Sequence, residues 1–300
     1  MKNILVIYYS QTGQLKDISS NLLQPFENKE DYLVDYYNIK PINDFTFPWN
    51  PDKFYDTFPE SFQQIPIEIE KPPTEILEKQ YDLVIFAYQI WFLTPSIPVN
   101  SFLKSAYATK LLGNRKVITV IGCRNMWAKA QQKTKLLVEK AGGQLVGNIA
   151  FVDRSPNLIS VITIVHWVIG GKKDRKWGVF PKPGVSDEDI QGASKFGDLI
   201  LNSIENDKFD NLQSSIQKAG GVDIRPFIIF MDEKANRMFS IWSKLILKSS
   251  KNRKFKIKLF KYYLLIALFV ISPIVFLIFC LSYPLRLTQI KKKRELYCGV

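Results

Sequence analysis

The chain has 300 residues and a formal net charge of +13, and almost all of this charge lies in its last fifth. Residues 241–300 contain thirteen Lys or Arg residues and a single acidic residue, which leaves the rest of the chain nearly neutral. The high isoelectric point therefore gives no reason to expect a nucleic-acid partner. The three cysteines are scattered, a pattern typical of a reduced protein without disulfides, and the sequence offers no cluster of metal ligands.

Strand and helix patterns alternate over the first two thirds of the chain. The apolar run at 4–9 indicates a buried strand of a parallel sheet, and four later runs have the same character. The five predicted strands lie at 4–9, 32–39, 81–88, 116–122 and 145–152. Helical patterns follow the first strand, lie around 97–112 and 126–141, and return at 186–205. This alternation predicts an α/β fold: a doubly wound, five-stranded parallel sheet with helices on both faces and a ligand beyond the carboxyl ends of its strands.

The loop after the first strand has the composition of a phosphate-binding loop. Ser10, Thr12 and Gly13 lie between the buried strand and a helix that begins near Leu15. At such a turn the free backbone N–H groups and the helix dipole attract a phosphate, and the two hydroxyls add donors. The turn lacks the glycine-rich patterns of P-loop and dinucleotide sites, and the alternative is an ordinary capped helix start.

The Ser-x-Thr-Gly pattern resembles the loop with which flavodoxins hold the phosphate of FMN. The resemblance implies a flavodoxin-like domain over 1–210, with FMN as its cofactor. It places cofactor-binding residues at Ser10, Gln11, Thr12, Gly13, Gln14 and Leu15. Leu15 departs from the Thr that many flavodoxins carry at this position, which removes one phosphate donor.

Two further loops follow predicted strands at the same edge of the sheet. The loop after the third strand contains Trp91, Phe92, Leu93 and Thr94, and the loop after the fourth contains Gly122, Cys123, Arg124, Asn125 and Trp127. Indole rings stack well on a planar flavin, so both loops are predicted to contact the cofactor. Arg124 is predicted to face the electron-rich end of a reduced flavin and to act catalytically. The alternatives are core packing for the tryptophans and a solvated or ion-paired Arg124.

His166 is the only histidine in the chain and is the second predicted catalytic residue, as the candidate base. It lies within the apolar stretch 158–171, so a satisfied, half-buried histidine is the alternative. Cys123 is the only thiol near the predicted site. A nucleophilic role for Cys123 competes with the ordinary burial of a small apolar residue.

Two segments are additions to the basic pattern of the fold. The stretch at about 43–73 is rich in aromatic residues and proline, and we predict an irregular loop with one short helix. It serves either as a lid over the site or as a flap over a sheet edge. The stretch at about 154–185 contains the apolar run 158–171, for which membrane contact, a pocket wall and a packing helix remain open.

The last part of the chain has the pattern of a membrane anchor. A basic connector is predicted at 211–261, an uncharged membrane segment at 262–283 and a basic tail at 284–300. Basic residues on both sides and Pro273 near the middle leave open a simple span and a re-entrant hairpin. Because Met1 leads directly into the first strand without a signal peptide, we expect the domain on the cytoplasmic face of the inner membrane. Truncation near residue 240 is expected to leave a folded domain.

Five motifs together are similar to the family of dialkylresorcinol condensing enzymes, which accompany bacterial aryl-polyene and flexirubin-type pigment pathways. The motifs lie at 8–15, 88–91, 93–98, 122–127 and 180–187, and the resemblance covers about 1–240. It implies work on a lipid-like intermediate with two alkyl chains. It also implies a ketosynthase and an acyl carrier protein of the same pathway as partners. Contact with membrane lipids is expected separately, from the basic and apolar residues of the last part of the chain.

The residues favour a redox reaction over the condensation in the family's label. Condensation needs a nucleophilic cysteine with histidine or asparagine partners, and the sequence has one histidine and no such group. A flavin accepts hydride from carbon, so we predict FMN-dependent oxidative aromatisation of a dialkylcyclohexane-1,3-dione to a dialkylresorcinol. The alternatives are a membrane-docked electron-transfer or scaffold module and an NAD(P)H quinone reductase.

Overall fold

A five-stranded parallel sheet forms the centre of the computed structural model, which describes residues 1–27, 29–248 and 250–300. The strands of this described part are β1 (Lys2–Tyr8), β2 (Tyr32–Asn38), β3 (Leu83–Trp91), β4 (Thr94–Pro95), β5 (Lys116–Cys123) and β6 (Gln144–Val152). The parallel strands lie in the order β2-β1-β3-β5-β6, and the short β4 pairs antiparallel with the end of β3. Counted without β4, this is the order 2-1-3-4-5 of flavodoxin-like folds, which confirms the predicted fold.

Helices cover both faces of the sheet. They are α1 (Gln14–Leu23), α2 (Pro51–Asp56), α3 (Phe58–Phe62), α4 (Thr74–Glu78), α5 (Ile97–Leu103), α6 (Ala106–Leu112), α7 (Ala128–Lys140), α8 (Asn157–Val168), α9 (Asp187–Gln191), α10 (Ser194–Glu205), α11 (Leu212–Lys218), α12 (Pro226–Leu247), α13 (Arg253–Ile266), α14 (Ser272–Leu281) and α15 (Leu287–Cys298). Helices α1, α10 and α11 pack on one face, through residues such as Ile18 and Ile200. Helices α5, α6 and α7 pack on the other face, through residues such as Phe102 and Leu111. Burial on both faces explains why the strands are continuous apolar runs.

Both predicted insertions contain helices. The stretch 43–73 holds two short helices, α2 and α3, where one was predicted. The apolar run of the second insertion forms α8, and the helix predicted at 186–205 divides into α9 and α10. At its start the Ser186 Oγ accepts a hydrogen bond of 3.0 Å from the Asp189 N–H, which confirms the predicted cap.

The last part of the chain folds back along the domain. Helix α12 packs against α3 and α7. A π-helical turn, Ala267–Ile271, joins α13 and α14 into one helix, Arg253–Leu281, which we call the tail helix. Among the described residues it is the one helix long and apolar enough to cross a membrane, with a mean hydropathy of 3.1 in its most apolar part. Beyond it α15 returns to the sheet, where Tyr297 is buried in the same core as α5 and α6.

Candidate functional site

The loop between β1 and α1 has the geometry of an anion-binding turn. Gly13, directly before α1, has φ +83°, a left-handed conformation that favours glycine. Apart from its chain neighbours, no described atom lies within 4 Å of the position of a Cβ at Gly13, so a ligand can approach the backbone. The Ser10 Oγ is buried and has no hydrogen-bond partner among the described residues. A buried hydroxyl left unpaired costs about 1–3 kcal/mol, which points to a ligand that completes the bond.

Three of the predicted loop residues use their side chains inside the protein. Gln14 exchanges two hydrogen bonds of 3.1 Å with the backbone of Val185, which fixes the loop before α9 against α1. The Gln11 Oε1 accepts a hydrogen bond of 2.8 Å from the Trp49 indole, and Leu15 is buried in the core. These three residues can therefore meet a ligand through their backbone N–H groups. The side-chain hydroxyls that this loop can offer to a ligand are those of Ser10 and Thr12.

An aromatic cluster from the first insertion covers the sheet edge beside this loop. The Trp91 indole, at the end of β3, makes edge contacts with Tyr9, Phe45 and Trp49 at ring-centroid distances of 6.0, 4.9 and 5.2 Å. The Gln11 Nε2 also donates to the Phe45 carbonyl at 3.2 Å. The segment 44–49, which we call the edge loop, is thus held across the carboxyl ends of β1 and β3. This position fits both the lid and the flap that the sequence left open.

The rest of the loop after β3 forms a tight hairpin whose side chains are partly or fully buried. Phe92 and Leu93 have φ +48° and +65°, and Trp91 pairs with Thr94 across them. Both central residues pack against the aromatic core formed by α3, α12 and the tail helix. Thr94 is buried, with its Oγ1 3.0 Å from the Trp91 carbonyl oxygen. Of the four residues predicted here, Trp91 reaches the edge loop. The side chains of Phe92, Leu93 and Thr94 pack elsewhere, and contact of these three residues with a cofactor stays a prediction.

The loop after β5 brings a half-buried cation to the same edge. The Arg124 Nη1 donates to the Asn157 Oδ1 at 2.7 Å, and Arg124 forms no salt bridge with a described residue. Burial lowers the pKa of Arg124 to about 10, so the group keeps its charge at neutral pH. Asn125 also donates to the Asn157 Oδ1, and its own buried Oδ1 lacks a partner in the described part of the chain. Gly122 lets this loop approach α1, since a Cβ there would lie 3.1 Å from the Leu15 Cδ1.

Two predicted contact residues of the same loop have surroundings that argue against the predicted roles. Trp127 is 2% exposed and packs in the core between the sheet and α7, so its indole offers no face to a ligand. This corrects the prediction that Trp127 covers a flavin ring. Burial also raises the pKa of the Cys123 thiol well above its usual range. The thiol therefore stays protonated at neutral pH, which favours the structural role over the nucleophilic one.

Replacement of Cys123 by Ala should therefore leave both cofactor binding and turnover nearly unchanged. A thiol that stays protonated is a poor nucleophile, and the smaller Ala preserves the apolar packing. The measurement is turnover before and after treatment with iodoacetamide, with the exposed Cys280 as the internal standard for alkylation. A loss of turnover in Cys123→Ala with the cofactor still bound would restore a catalytic role for this thiol.

His166 lies apart from these loops. Its Nε2 is 2.7 Å from the Asp174 Oδ1, near the end of α8. Asn157, which holds Arg124, lies at the start of α8, and the nine-residue separation corresponds to about 13 Å along the helix axis. The structure therefore does not bring the two predicted catalytic residues together, and the role of His166 as a base stays a prediction.

The chain is similar in structure to several flavoproteins. A flavoprotein from Lactobacillus acidophilus, described in complex with FMN, is 18% identical, covers 50% of this chain and 93% of its own, and has a TM-score of 0.39. Flavodoxin 1 from Bacillus cereus is 16% identical, covers 66% of this chain and 95% of its own, and has a TM-score of 0.34. RosB with a bound riboflavin-phosphate intermediate is 11% identical, covers 75% of this chain and 91% of its own, and has a TM-score of 0.36.

Similarity at this level carries no argument about chemistry, and the fold rests on the strand order of the sheet itself. No family model and no curated protein matches the chain.

Proposed function

We propose that this chain is a flavoprotein that holds FMN at the loop between β1 and α1. The observation that carries the proposal is the buried hydroxyl of Ser10, which has no partner in the described part of the chain and lies close in sequence to the open, left-handed Gly13. The donors for a phosphate are the hydroxyls of Ser10 and Thr12 and the free N–H groups of the first turn of α1. Trp91 and the loop that carries Arg124 are the groups available to the flavin ring.

Arg124 has the properties needed to stabilise negative charge on a reduced cofactor. FMN, when bound, supplies an acceptor for two electrons in the form of a hydride. Asn157 holds the guanidinium in place, and its positive charge is not neutralised by a salt bridge to a described carboxylate. A cation in a poorly solvated site stabilises developing negative charge more strongly than a cation in water. The aromatic edge loop next to Trp91 would exclude water from the same region.

The proposed reaction is the oxidative aromatisation of a dialkylcyclohexane-1,3-dione to a dialkylresorcinol, which the family resemblance favours. The ring of the diketone loses one hydride to the flavin and one proton to a base, and enolisation of its carbonyl groups completes the aromatic ring. The two alkyl chains would draw this substrate into lipid, since each buried methylene contributes about 0.8 kcal/mol. A membrane location suits such a substrate. We also propose the cytoplasmic face of the inner membrane as the location, and a ketosynthase and an acyl carrier protein of the same pathway as partners, as the sequence led us to expect.

This function is tested by the flavin absorbance of the purified protein and by identifying the compound that reduces the bound flavin. Protein mixed with FMN and freed of excess should be yellow, and a short-chain dialkylcyclohexanedione should bleach the flavin anaerobically without NAD(P)H. Bleaching by NAD(P)H alone would replace the proposal with a quinone reductase. A chain that retains no FMN would replace it with a scaffold.

Replacement of Arg124 by Gln should slow the anaerobic bleaching about hundredfold, the size of effect that follows loss of a charge-stabilising donor. FMN should remain bound, because the phosphate loop is unchanged. The rate is measured by stopped-flow absorbance. The matched control is Arg154→Gln, whose guanidinium is occupied by Asp189 at 2.7 Å. Equal bleaching rates in the two variants would remove Arg124 from the mechanism.

A further inference from the structure

Both ends of the tail helix are attached to the same soluble domain. At its start Phe260 is fully buried and stacks on Phe58 of α3, with ring centroids 3.8 Å apart. Arg253, at the first turn, pairs with Asp56 and Glu60, each at 2.7 Å. The start of the helix is therefore fixed to α2 and α3 by stacking and by charge.

The far end of the tail helix is attached in a similar way. Phe279 is buried against Phe227 and Phe230 of α12, with both ring centroids at 5.4 Å. Beyond it, in α15, Lys293 pairs with Glu233 of α12. The carbonyl oxygen of Cys298 accepts hydrogen bonds of 2.7 Å from two side-chain amides of α11, Gln213 and Gln217. The whole helix thus lies alongside α12, which itself rests on α3 and α7.

The face of the tail helix that points away from α12 is apolar over its whole central part. Exposed apolar side chains recur every three or four residues, at Tyr262, Ile266, Val270, Ile274, Leu277 and Leu281, and these six form a stripe along the helix. Further exposed apolar side chains flank the stripe on both sides, at Leu265, Phe269, Ile271, Phe276 and Ile278. No charged residue lies between Lys261 and Arg286. An exposed apolar surface of this length marks an interaction site.

Basic residues border the stripe at both ends. At its start an open cleft of about 1100 Å³ between α2 and α13 is lined by six basic and two acidic residues, with Lys254, Lys258 and Lys261 from the tail helix. At the other end five basic residues follow within 286–294. An apolar band between two positive borders matches a bilayer surface in which anionic headgroups lie around the acyl chains.

We propose that the tail helix lies in the plane of an anionic lipid bilayer as a surface helix and does not span it. The inference concerns the geometry of the membrane attachment proposed above and is independent of the redox chemistry. A span would separate the two ends of the helix by the hydrocarbon core, roughly 30 Å thick. The contacts of Phe279 with α12, of Lys293 with Glu233 and of Cys298 with α11 would then all be lost. In-plane attachment keeps them and sets residues 253 and 286 on the same side of the membrane.

Topology is tested by labelling single cysteines in the full chain, expressed in a bacterial host. In a background without native cysteines, which carries Cys123→Ala, Cys280→Ser and Cys298→Ser, Lys254→Cys reports the start of the tail helix. Leu296→Cys, at a position that is 60% exposed, reports the segment after it. In inside-out inner-membrane vesicles an impermeant maleimide should label both sites before detergent is added, and in intact spheroplasts neither. Labelling of one site in each preparation would establish a span and overturn the proposal.

Lipid contact is tested by co-sedimentation of the purified chain with vesicles of phosphatidylglycerol and phosphatidylcholine. Ile274→Gln with Leu277→Gln should weaken binding at least about tenfold, since two exposed apolar side chains leave the acyl region. The control is Leu136→Gln on α7, which matches Leu277 in exposure, 65% against 63%, and should bind like the unchanged chain. Equal binding of all three proteins would overturn the proposal. So would a dimer that buries the stripe and binds no vesicle.

Discussion

Replacement of both Thr12 and Gly13 by Val should abolish the retention of FMN. Thr12→Val removes a hydroxyl donor from the loop. Gly13 has φ +83°, where a β-branched residue is a conformational outlier, so Val would rearrange the turn that presents the first N–H groups of α1. The measurement is the ratio of FMN to protein after gel filtration of the full chain.

Two further variants separate loss of the site from loss of the fold. Ser10→Ala removes a buried hydroxyl without a described partner, so the apo protein should keep its stability or gain up to about 1–3 kcal/mol while FMN binds more weakly. Ser19→Ala is the matched control, because this buried serine of α1 already donates to the Leu15 carbonyl at 2.9 Å. It should retain FMN. Full retention by the Thr12/Gly13 variant, or unchanged affinity in Ser10→Ala, would contradict the site.

The second large effect is expected at Phe260, which attaches the tail helix to the domain. Phe260→Ala should lower the free energy of unfolding by about 3–5 kcal/mol, because it leaves a cavity between Phe58 and Phe239. Phe255→Ala, on the same helix but 61% exposed, is the control and should change stability by less than about 0.5 kcal/mol. Urea unfolding in one mild detergent, followed by tryptophan fluorescence, measures both. Equal midpoints for the two variants would show that the stacked rings do not secure the helix.

The attachment of the tail helix changes what truncation is expected to do. The division of charge predicted that a cut near residue 240 leaves a folded domain. In the structure such a cut removes Phe260 from its contact with Phe58 and removes Tyr297 from the core of the sheet. We therefore expect a truncated chain to expose this aromatic core and to aggregate, and point substitutions are the better probes of membrane attachment.

The sheet could be predicted because its strands are buried on both faces. Such strands are continuous apolar runs, and alternation with helices then requires parallel pairing. The same reasoning placed the loops at 10–14 and 122–125 at one edge, where the structure has them. It could also have found Asn157, which follows β6 at this edge and holds Arg124. Asn157 belongs to no recognisable motif. The signal that could have identified it is its position in the loop after a predicted strand.

Contacts between distant segments could not be predicted from local patterns. The side chains of Gln11 and Gln14 suit a phosphate, yet they bond to Trp49 and Val185, which lie far away in the sequence. The local sequence around Trp127 is the same whether its ring covers a ligand or packs in the core. The uncharged run at 262–283 has the composition of a membrane span, yet stacked phenylalanines near both ends of the tail helix, together with ion pairs, attach it to the domain. Apolar composition alone does not distinguish these environments.

The hairpin after β3 connects the site to the tail helix over four residues. Trp91 contacts the edge loop, whereas its neighbours Phe92 and Leu93 reach the aromatic core that contains Phe260. Left-handed conformations in bulky residues cost about 1–3 kcal/mol each and persist where the surroundings fix them. Glycine at positions 92 and 93 would remove the conformational strain of the backbone, but it would also remove the side chains that pack in the aromatic core. The side chains of Phe92 and Leu93 thus form a short, rigid connection between the Trp91 indole and the tail helix. If the tail helix lies on a bilayer as proposed, this connection would fix the height of the proposed flavin site above the lipid.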